Sequence, residues 1–331
     1  MFFFFCPTHG TKSIAHCFSK FLHTKKEILQ IVENFDELSN IQFQKDDIVL
    51  CGIPVNDYEK NYKTIELLNR KGVSFFFLLD HWHNSYKNFY DDIIGKKYFP
   101  KKIFCIDDHM KKSFIDSGID DEKIEIVGHP ALEKTFSDKY SENQIKTLRS
   151  KFPDKKQIAC LFLDPVGKRK ETVGYNELDV IFYCVEGLRR ATDDFTLIIK
   201  CHPRNEVGPI RDAIKGKENI FLIENNLDFS PLDLLNLSDK VLGMTSIMLI
   251  HSLVLKKPTR SIQINATPAG KLRSNPHLDK VLCKSIDDIE VFFNAKLDKI
   301  SPISSCIFEG SCARIYKALR KNDFIYNQNK K

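Results

Sequence analysis

Short apolar runs alternate with amphipathic stretches along nearly the whole chain, and few folds accept that order. In the first half, runs at 2–6, 48–52, 73–79, 102–106 and 124–127 have strand length. Helical periodicity fills 11–22 and 58–70, and Asp108 is placed to cap a helix that Gly118 stops. The second half repeats the pattern, with strands at 158–163, 196–200, 219–223, 240–243, 260–264 and 280–283. Helices fall at 176–190, 205–215, 230–237, 246–255 and 285–297, and a last one at 308–321. Regular strand–helix alternation implies parallel sheets with helices on both faces.

Between 132 and 156 the chain turns polar and charged, with one short helix near 142–150. The domain boundary is therefore expected there. Residues 1–150 and 151–331 are predicted to form two Rossmann-like α/β domains facing each other across a cleft, with the last helix able to pack back on the first domain. At 42% hydrophobic, the 331-residue chain has material for two cores. No apolar run approaches the roughly 20 residues that span a bilayer. Met1-Phe-Phe-Phe-Phe-Cys6 lacks a positive leader region and breaks at Pro7, so it is expected to be a buried strand rather than a signal sequence.

The net charge of +6 suits either an anionic substrate or membrane surface, or simply a solvated lysine-rich face. Nothing points to nucleic acid: there is no zinc-finger spacing, no RNP-like motif and no basic arm beyond Lys330-Lys331. The ten cysteines form no Cys-x-x-Cys pair, which fits buried thiols in a reducing cytoplasm. Lysines and aromatics at 86–90 and 96–102 could touch anionic lipid at the inner membrane face.

Ligands of open α/β sheets bind at strand carboxyl ends. In the second half, Thr196 to Lys200 leads into Cys201-His202-Pro203-Arg204. Pro203 keeps His202 extended as the chain leaves the sheet. His202 can donate to a phosphate, stack near a base, transfer a proton, or only end a strand. Arg204 can grip an oxyanion through two bonds. Gly243-Met244-Thr245-Ser246 ends another strand and opens a helix, so Thr245 and Ser246 suit phosphate binding or plain capping. The loop holding Lys168, Arg169 and Lys170 precedes a helix and is a second phosphate candidate or a solvated loop. Ser230-Pro231 opens a short helix whose N-terminus, next to Glu224, could face a nucleobase or simply pack in the core.

In the first half, Asp80-His81-Trp82-His83-Asn84 leaves an apolar strand. Asp80 could act as base or nucleophile, and Trp82 could pack on a sugar ring or between domains. Two histidines two apart with one acid are too few for a metal site, so no metal is expected. Pro7-Thr8-His9-Gly10-Thr11-Lys12-Ser13 resembles a phosphate loop without ATPase spacing. Gly10 allows close backbone approach. His129, in Gly128-His129-Pro130, lies at a further strand end and is a candidate contact or a structural residue.

The succession strand-Cys-His-Pro-Arg, Ser-Pro-Leu-Asp-Leu-Leu, Ser-Asp-Lys-Val-Leu-Gly-Met-Thr-Ser-Ile-Met-Leu and Leu-Lys-Lys-Pro resembles the donor domain of GT-B glycosyltransferases of bacterial capsule and lipopolysaccharide synthesis. Asp107-Asp108-His109 and Lys123 to Pro130 are similar to the last βαβ unit of their N-terminal domains. The resemblance covers about residues 74–264. It implies a cytoplasmic, metal-independent transferase with no cofactor beyond a UDP- or CMP-linked sugar donor. The donor would lie on His202, Arg204, Thr245, Ser246, Glu224 and Lys168. Asp80 would be the catalytic group with His9 as alternative base, and Gly10, His81, Trp82 and His129 would line the acceptor side. His251 stands where many members carry a ribose-binding acid. The hydrolysing UDP-GlcNAc 2-epimerases share the fold at a distance. They typically carry a His-Arg-x-x-Asn loop, Ser-Gly-Gly and paired glutamates, where this chain has Asp164-Pro165-Val166, Thr245-Ser246-Ile247 and no glutamate pair. A sugar-nucleotide epimerase or hydrolase and a non-catalytic glycan-assembly subunit are the alternatives.

Overall fold

A computed structural model describes the chain except residues 53–57, 83–89, 92–95, 98, 138–139, 155–156, 193, 226, 272–274, 296–302, 304–306 and 329–331. For residues 9, 58, 90–91, 96–97, 136–137, 168, 269, 271 and 322–328, it describes the backbone alone. The chain divides into two compact units, Met1–Lys134 with Ser305–Lys331, and Thr135–Ser304.

The first unit runs β1 (Phe2–Phe5), α1 (His9–Thr24), β2 (Leu29–Val32), α2 (Phe35–Asn40), β3 (Ile48–Gly52), α3 (Tyr58–Arg70) and β4 (Ser74–Leu78). A short antiparallel pair, β5 (Tyr90–Asp91) and β6 (Lys96–Lys97), precedes β7 (Ile103–Cys105), α4 (Asp108–Asp116), β8 (Ile124–Ile126) and α5 (Pro130–Ser137). The sheet order is β2-β1-β3-β4-β7-β8, and every pairing is parallel. The chain reverses direction across the sheet between β1 and β3, where such folds place ligands. The four phenylalanines of β1 are all buried, because both faces of the strand are covered. Burying each contributes roughly 2–3 kcal/mol.

The second unit runs α6 (Glu142–Arg149), β9 (Gln157–Phe162), α7 (Lys170–Val173), α8 (Glu177–Ala191), β10 (Phe195–Lys200), α9 (Val207–Ile214) and β11 (Ile220–Ile223). It continues through α10 (Pro231–Leu237), β12 (Lys240–Gly243), α11 (Ile247–Val254), β13 (Thr259–Ile262), α12 (Pro268–Lys271), β14 (Leu282–Cys283) and α13 (Ile286–Asn294). Its sheet order is β11-β10-β9-β12-β13-β14, again wholly parallel, with the reversal between β9 and β12. The last helix, α14 (Ser311–Gln328), belongs to the first unit. Ile315, Ala318 and Leu319 enter the core that holds Phe2, Phe4, Ile14, Phe18 and Leu22. Tyr316 meets the rings of Phe2 and Phe21, and Arg320 pairs with Glu27.

The two-unit α/β class follows the alternation of the sequence, but several details differ. β2 and α2 fall where no element is expected; Leu29-Gln-Ile-Val is an edge strand with half-exposed side chains, so no buried run marks it. The units divide after Lys134 rather than after 150. Helix α6 is held by the second unit: Arg149 makes a two-bond pair with Asp239 at 3.0 and 3.1 Å, and Tyr140 donates to Asp233 at 2.7 Å. Asp107, not Asp108, caps α4, accepting from the Met110 amide at 2.9 Å. The expected strand at 280–283 is a 3-10 turn, Pro276–Val281, followed by the two residues of β14. Nine described cysteines form no disulfide, and all but Cys17 are buried. No helix among the described residues is long and apolar enough to cross a membrane. In the lysine-aromatic stretches at 86–90 and 96–102, residues 86–89 and 98 lie outside the described residues, and 90, 96 and 97 are described in backbone alone.

Candidate functional site

In the second unit the apolar run of β9 ends in Leu163-Asp164-Pro165. Asp164 there joins the two strands between which the chain reverses. Its Oδ2 accepts from the Thr245 amide at 2.6 Å and from the Thr245 hydroxyl at 2.7 Å. The Asp164 amide in turn meets the Met244 sulfur at 3.2 Å. Thr245 is therefore bound to the protein's own carboxylate through both groups that the sequence offers to phosphate. Ser246, half-buried, caps α11 and accepts from the Met248 amide at 3.4 Å.

The β10 end joins the same network. Asn205 accepts from the His202 amide at 2.6 Å, and its side-chain amide donates to the Asp164 carbonyl at 3.3 Å and to Glu177 Oε1 at 2.9 Å. Glu177 is buried in the first turn of α8 and also takes the amides of Val166 and Gly167 at 2.9 and 3.0 Å. One carboxylate thus holds the loop after β9 against the loop after β10. The Arg204 amide donates to His202 Nδ1 at 3.1 Å, so the neutral ring carries its proton on Nε2. His202 is half-buried and Arg204 exposed.

The basic loop is less available than its composition suggests. Lys168 lies in the 3-10 turn Gly167–Arg169, and its side chain is outside the described residues. Arg169 turns back onto the carbonyls of Pro165 and Val166 at 2.6 and 3.4 Å, and Lys170 pairs with Asp179 at 2.8 Å. Glu224 follows β11 and pairs with Arg211 at 2.5 Å, partly exposed. His251 bonds Thr135 at 2.5 Å through Nδ1, and burial pushes its pKa down to about 4. It is neutral near pH 7 and cannot stand in for a carboxylate.

In the first unit Thr8 caps α1: the Thr8 hydroxyl accepts from the Thr11 amide and Thr11 Oγ1 from the Thr8 amide. Asp80, just past β4, is buried against this helix start. A Cβ on Gly10 would stand 2.1 Å from Asp80 Oδ2, so glycine is required for that approach. The Thr8 hydroxyl donates to Asp80 Oδ2 at 3.4 Å. Burial pushes the Asp80 pKa up, against the opposing pull of the His81 charge and of hydrogen bonds from its own backbone and Thr8. A carboxyl raised in this way, buried at a strand end, is a candidate for proton transfer.

His129 is buried beside it. Its Nδ1 accepts from the Leu132 amide at 3.3 Å, so Nε2 donates to the Asp80 carbonyl at 3.3 Å. Asp80, Gly10 and His129 therefore come together, with His129 placing the Asp80 backbone. Trp82 is buried and its indole donates to Asp107 at 2.6 Å. His81 is half-buried, the side chain of His9 is not described, and His83 and Asn84 lie outside the described residues. No cluster of three His, Cys, Asp or Glu side chains able to hold a metal occurs among the described residues.

The sequence does not single out Asp164, Glu177 and Asn205 as site residues. The only local signal was their position one to five residues beyond strand ends or at a helix start; the mutual contacts join segments far apart in sequence.

No protein-family model and no curated protein sequence matches the chain. Solved structures do. HepE from Anabaena, in complex with UDP and glucose, aligns with a TM-score of 0.63 at 11% identity, covering 97% of this chain and 100% of HepE. The UDP-GlcNAc 2-epimerase of Methanocaldococcus jannaschii aligns with a TM-score of 0.64 at 16% identity, covering 97% and 99%. That of Neisseria meningitidis, bound to UDP-GlcNAc, aligns with a TM-score of 0.65 at 11% identity, covering 97% and 100%. The likeness is one of fold: this chain has the two α/β units of the GT-B class and resembles the UDP-GlcNAc 2-epimerases at a distance.

Proposed function

We propose that this chain is an enzyme acting on a nucleotide sugar and that it transfers the sugar to a bacterial surface-glycan acceptor. The observation that carries the reading is the joined edge of the second unit, where Asp164, Glu177 and Asn205 set the ends of β9, β10 and β12 around His202, Arg204 and Ser246. That is the position at which doubly wound sheets take phosphorylated ligands. Structural neighbours aligned over nearly the whole of both chains that hold UDP, UDP-glucose or UDP-GlcNAc support a UDP-sugar, with a CMP-linked donor the second choice.

In this reading His202, Arg204, Ser246 and Lys168 hold the donor phosphates, and positive charge at Arg204 steadies the leaving group as the glycosidic bond breaks. Thr245 contributes by orienting Asp164, and Glu224 is left as the ribose candidate. Asp80 is the catalytic carboxyl, with His9 as the alternative base. Gly10, His81, Trp82 and His129 shape the acceptor side. No cofactor or metal takes part. Peripheral contact with the inner membrane face belongs to the same proposal, through residues 86–90 and 96–102; a liposome sedimentation assay without salt-sensitive binding would remove it.

The test is a panel of UDP-, GDP-, CMP- and dTDP-sugars. One class should raise the melting temperature and be hydrolysed slowly in the absence of acceptor. Neither shift nor turnover with any donor would end the reading. A second reading, epimerisation, is favoured by the full-length likeness to two UDP-GlcNAc 2-epimerases. It requires rapid turnover with UDP-GlcNAc alone and a product of inverted configuration at the sugar C2.

A further inference from the structure

Three lysines of the second unit hold their ammonium groups away from water, and they differ. Lys240 opens β12 and is 3% exposed. Its Nζ donates to the carbonyls of Phe292, Phe293 and Ala295 at 2.8, 2.7 and 3.3 Å, at the end of α13. Lys257 donates to the carbonyls of Asn236 and Ser238 at 2.8 and 2.6 Å, at the end of α10. Both close a helix carboxyl terminus, where orphan carbonyls and the helix dipole favour a cation.

Lys200 has no such explanation. It ends β10 and is 4% exposed. Its Nζ makes a single hydrogen bond among the described residues, to the carbonyl of Cys201 at 3.0 Å. No carboxylate pairs with it there. A buried ammonium with one neutral acceptor is an unfavourable arrangement, since desolvation is not offset by pairing. The same burial pushes its pKa down.

The position of the group indicates what offsets that cost. Leu197, Ile199 and Cys201 face one core of the unit, so Thr196, Ile198 and Lys200 face the other side of the sheet. With Pro203 keeping the chain extended, His202 shares the Lys200 face one pleat further on. The bond to the Cys201 carbonyl turns the ammonium toward the carboxyl edge of the sheet. Lys200 is in register with Phe162 of β9, and two residues beyond Phe162 stands Asp164.

We propose that Lys200 is an anion-binding residue of this edge, whose ammonium takes a phosphate oxygen of a nucleoside mono- or diphosphate ester beside His202. The inference rests on the nucleotide-sugar reading and names the group that meets the phosphate from within the sheet. The bound phosphate supplies the charged acceptor that the folded chain withholds, and Lys200 stays inside its own strand throughout.

The test is calorimetric titration of wild type, Lys200→Met and Lys240→Met with UDP, CMP and inorganic pyrophosphate, together with melting curves. Lys200→Met should melt no lower than wild type and lose tenfold or more in affinity for pyrophosphate and for whichever nucleotide wild type binds. Lys240→Met should melt lower and bind as wild type does at a temperature where it is folded. Lys200→Met binding within threefold of wild type overturns the proposal. So does a failure of both Lys200→Met and Lys200→Gln to fold, because Lys200 would then be a core residue. Wild type that binds pyrophosphate but no nucleotide, with that binding lost in Lys200→Met, would sink the nucleotide-sugar reading and leave Lys200 as an anion site. Wild type that binds none of the three ligands contradicts both.

Discussion

The two units share one architecture, a six-stranded parallel sheet reversing next to its first strand, yet the acids and lysines most fully buried among their described residues differ. The first buries Asp47, Asp80 and Asp107; the second buries Lys200 and Lys240, with Glu177 consumed by amides. In the first unit Asp47 takes the chain's own N-terminal ammonium at 2.9 Å and the Gln44 amide at 2.7 Å. Asp107 takes the Trp82 indole and the Met110 amide. Among the described residues, the Asp80 carboxyl takes a long bond from Thr8 and one from its own backbone, and the Lys200 ammonium has one neutral carbonyl. The exceptions in each unit are the weakly compensated groups at strand carboxyl ends. Topology is common to both units, so the chemistry must lie in which charge each edge keeps poorly paired.

Removing the acid should break the comparison most severely. Asp80→Asn is expected to lower turnover of the nucleotide sugar about 10²–10⁴-fold, as loss of a general acid or base does. Its stability should hold or rise. A carboxyl whose pKa is raised on folding stabilises fully at low pH and loses that contribution as pH rises through the raised value, so at pH 7 the amide gains relative to wild type. Turnover within threefold of wild type would remove Asp80 from the reaction.

Glycine substitutions come next. Gly174 has φ +98° and a Cβ there would sit 2.0 Å from the backbone oxygen of Asn265, so Gly174→Ala should cost about 3 kcal/mol or more in urea unfolding. Gly10→Ala meets the Asp80 side chain instead and should cost about 1–3 kcal/mol, partly recovered when combined with Asp80→Ala. Equal costs without recovery would show that Asp80 does not press on the α1 start.

Alkaline pH shifts stability by about 1 kcal/mol per pH unit and titrating group, with opposite signs for buried thiols and buried lysines. Burial pushes the thiols of Cys6 and Cys201 up to about 11 and that of Cys283 up to about 12. The folded state keeps those protons longer than the unfolded chain, so stability falls as pH rises above 9. Lys240 and Lys257 are pushed down to about 8 by burial and have the reverse sign. Their contribution rises between pH 8 and about 10.5 as the folded state releases protons first. Wild type should therefore gain on Lys240→Met over that interval in pH-dependent unfolding; a constant difference would contradict the burial of that ammonium. The smallest effect is Glu224→Gln. An exposed pair with Arg211 is worth about 0.5 kcal/mol or less, so melting should barely move. A tenfold loss of nucleotide affinity in the same variant would assign Glu224 to the ligand.

Local pattern made the strands and most helices legible, because buried parallel strands leave apolar runs and helices leave periodic ones. β2 escaped because an edge strand with half-exposed residues has no such run. His202, Thr245 and Asp80 were visible as polar residues immediately beyond strands. Their partners were not: Asp164 meets Thr245 across 81 positions, and Asn205 meets Glu177 across 28. Lys200 was hidden for another reason. Inside a strand it looks like a solvent-facing alternation, and only coverage of both sheet faces turns it into a buried charge. Glu224 and Arg169 looked available for the converse reason, since their partners Arg211 and the Pro165 carbonyl become apparent only once the loops are folded.

A crystal of the full chain soaked with UDP or CMP would show which strand ends receive the phosphates. Phosphate oxygens are expected within hydrogen-bonding distance of His202 and Lys200 at the carboxyl ends of β9, β10 and β12. Nucleotide bound instead at the Asp80 edge of the first unit, or phosphates away from the β10 end, would contradict that placement.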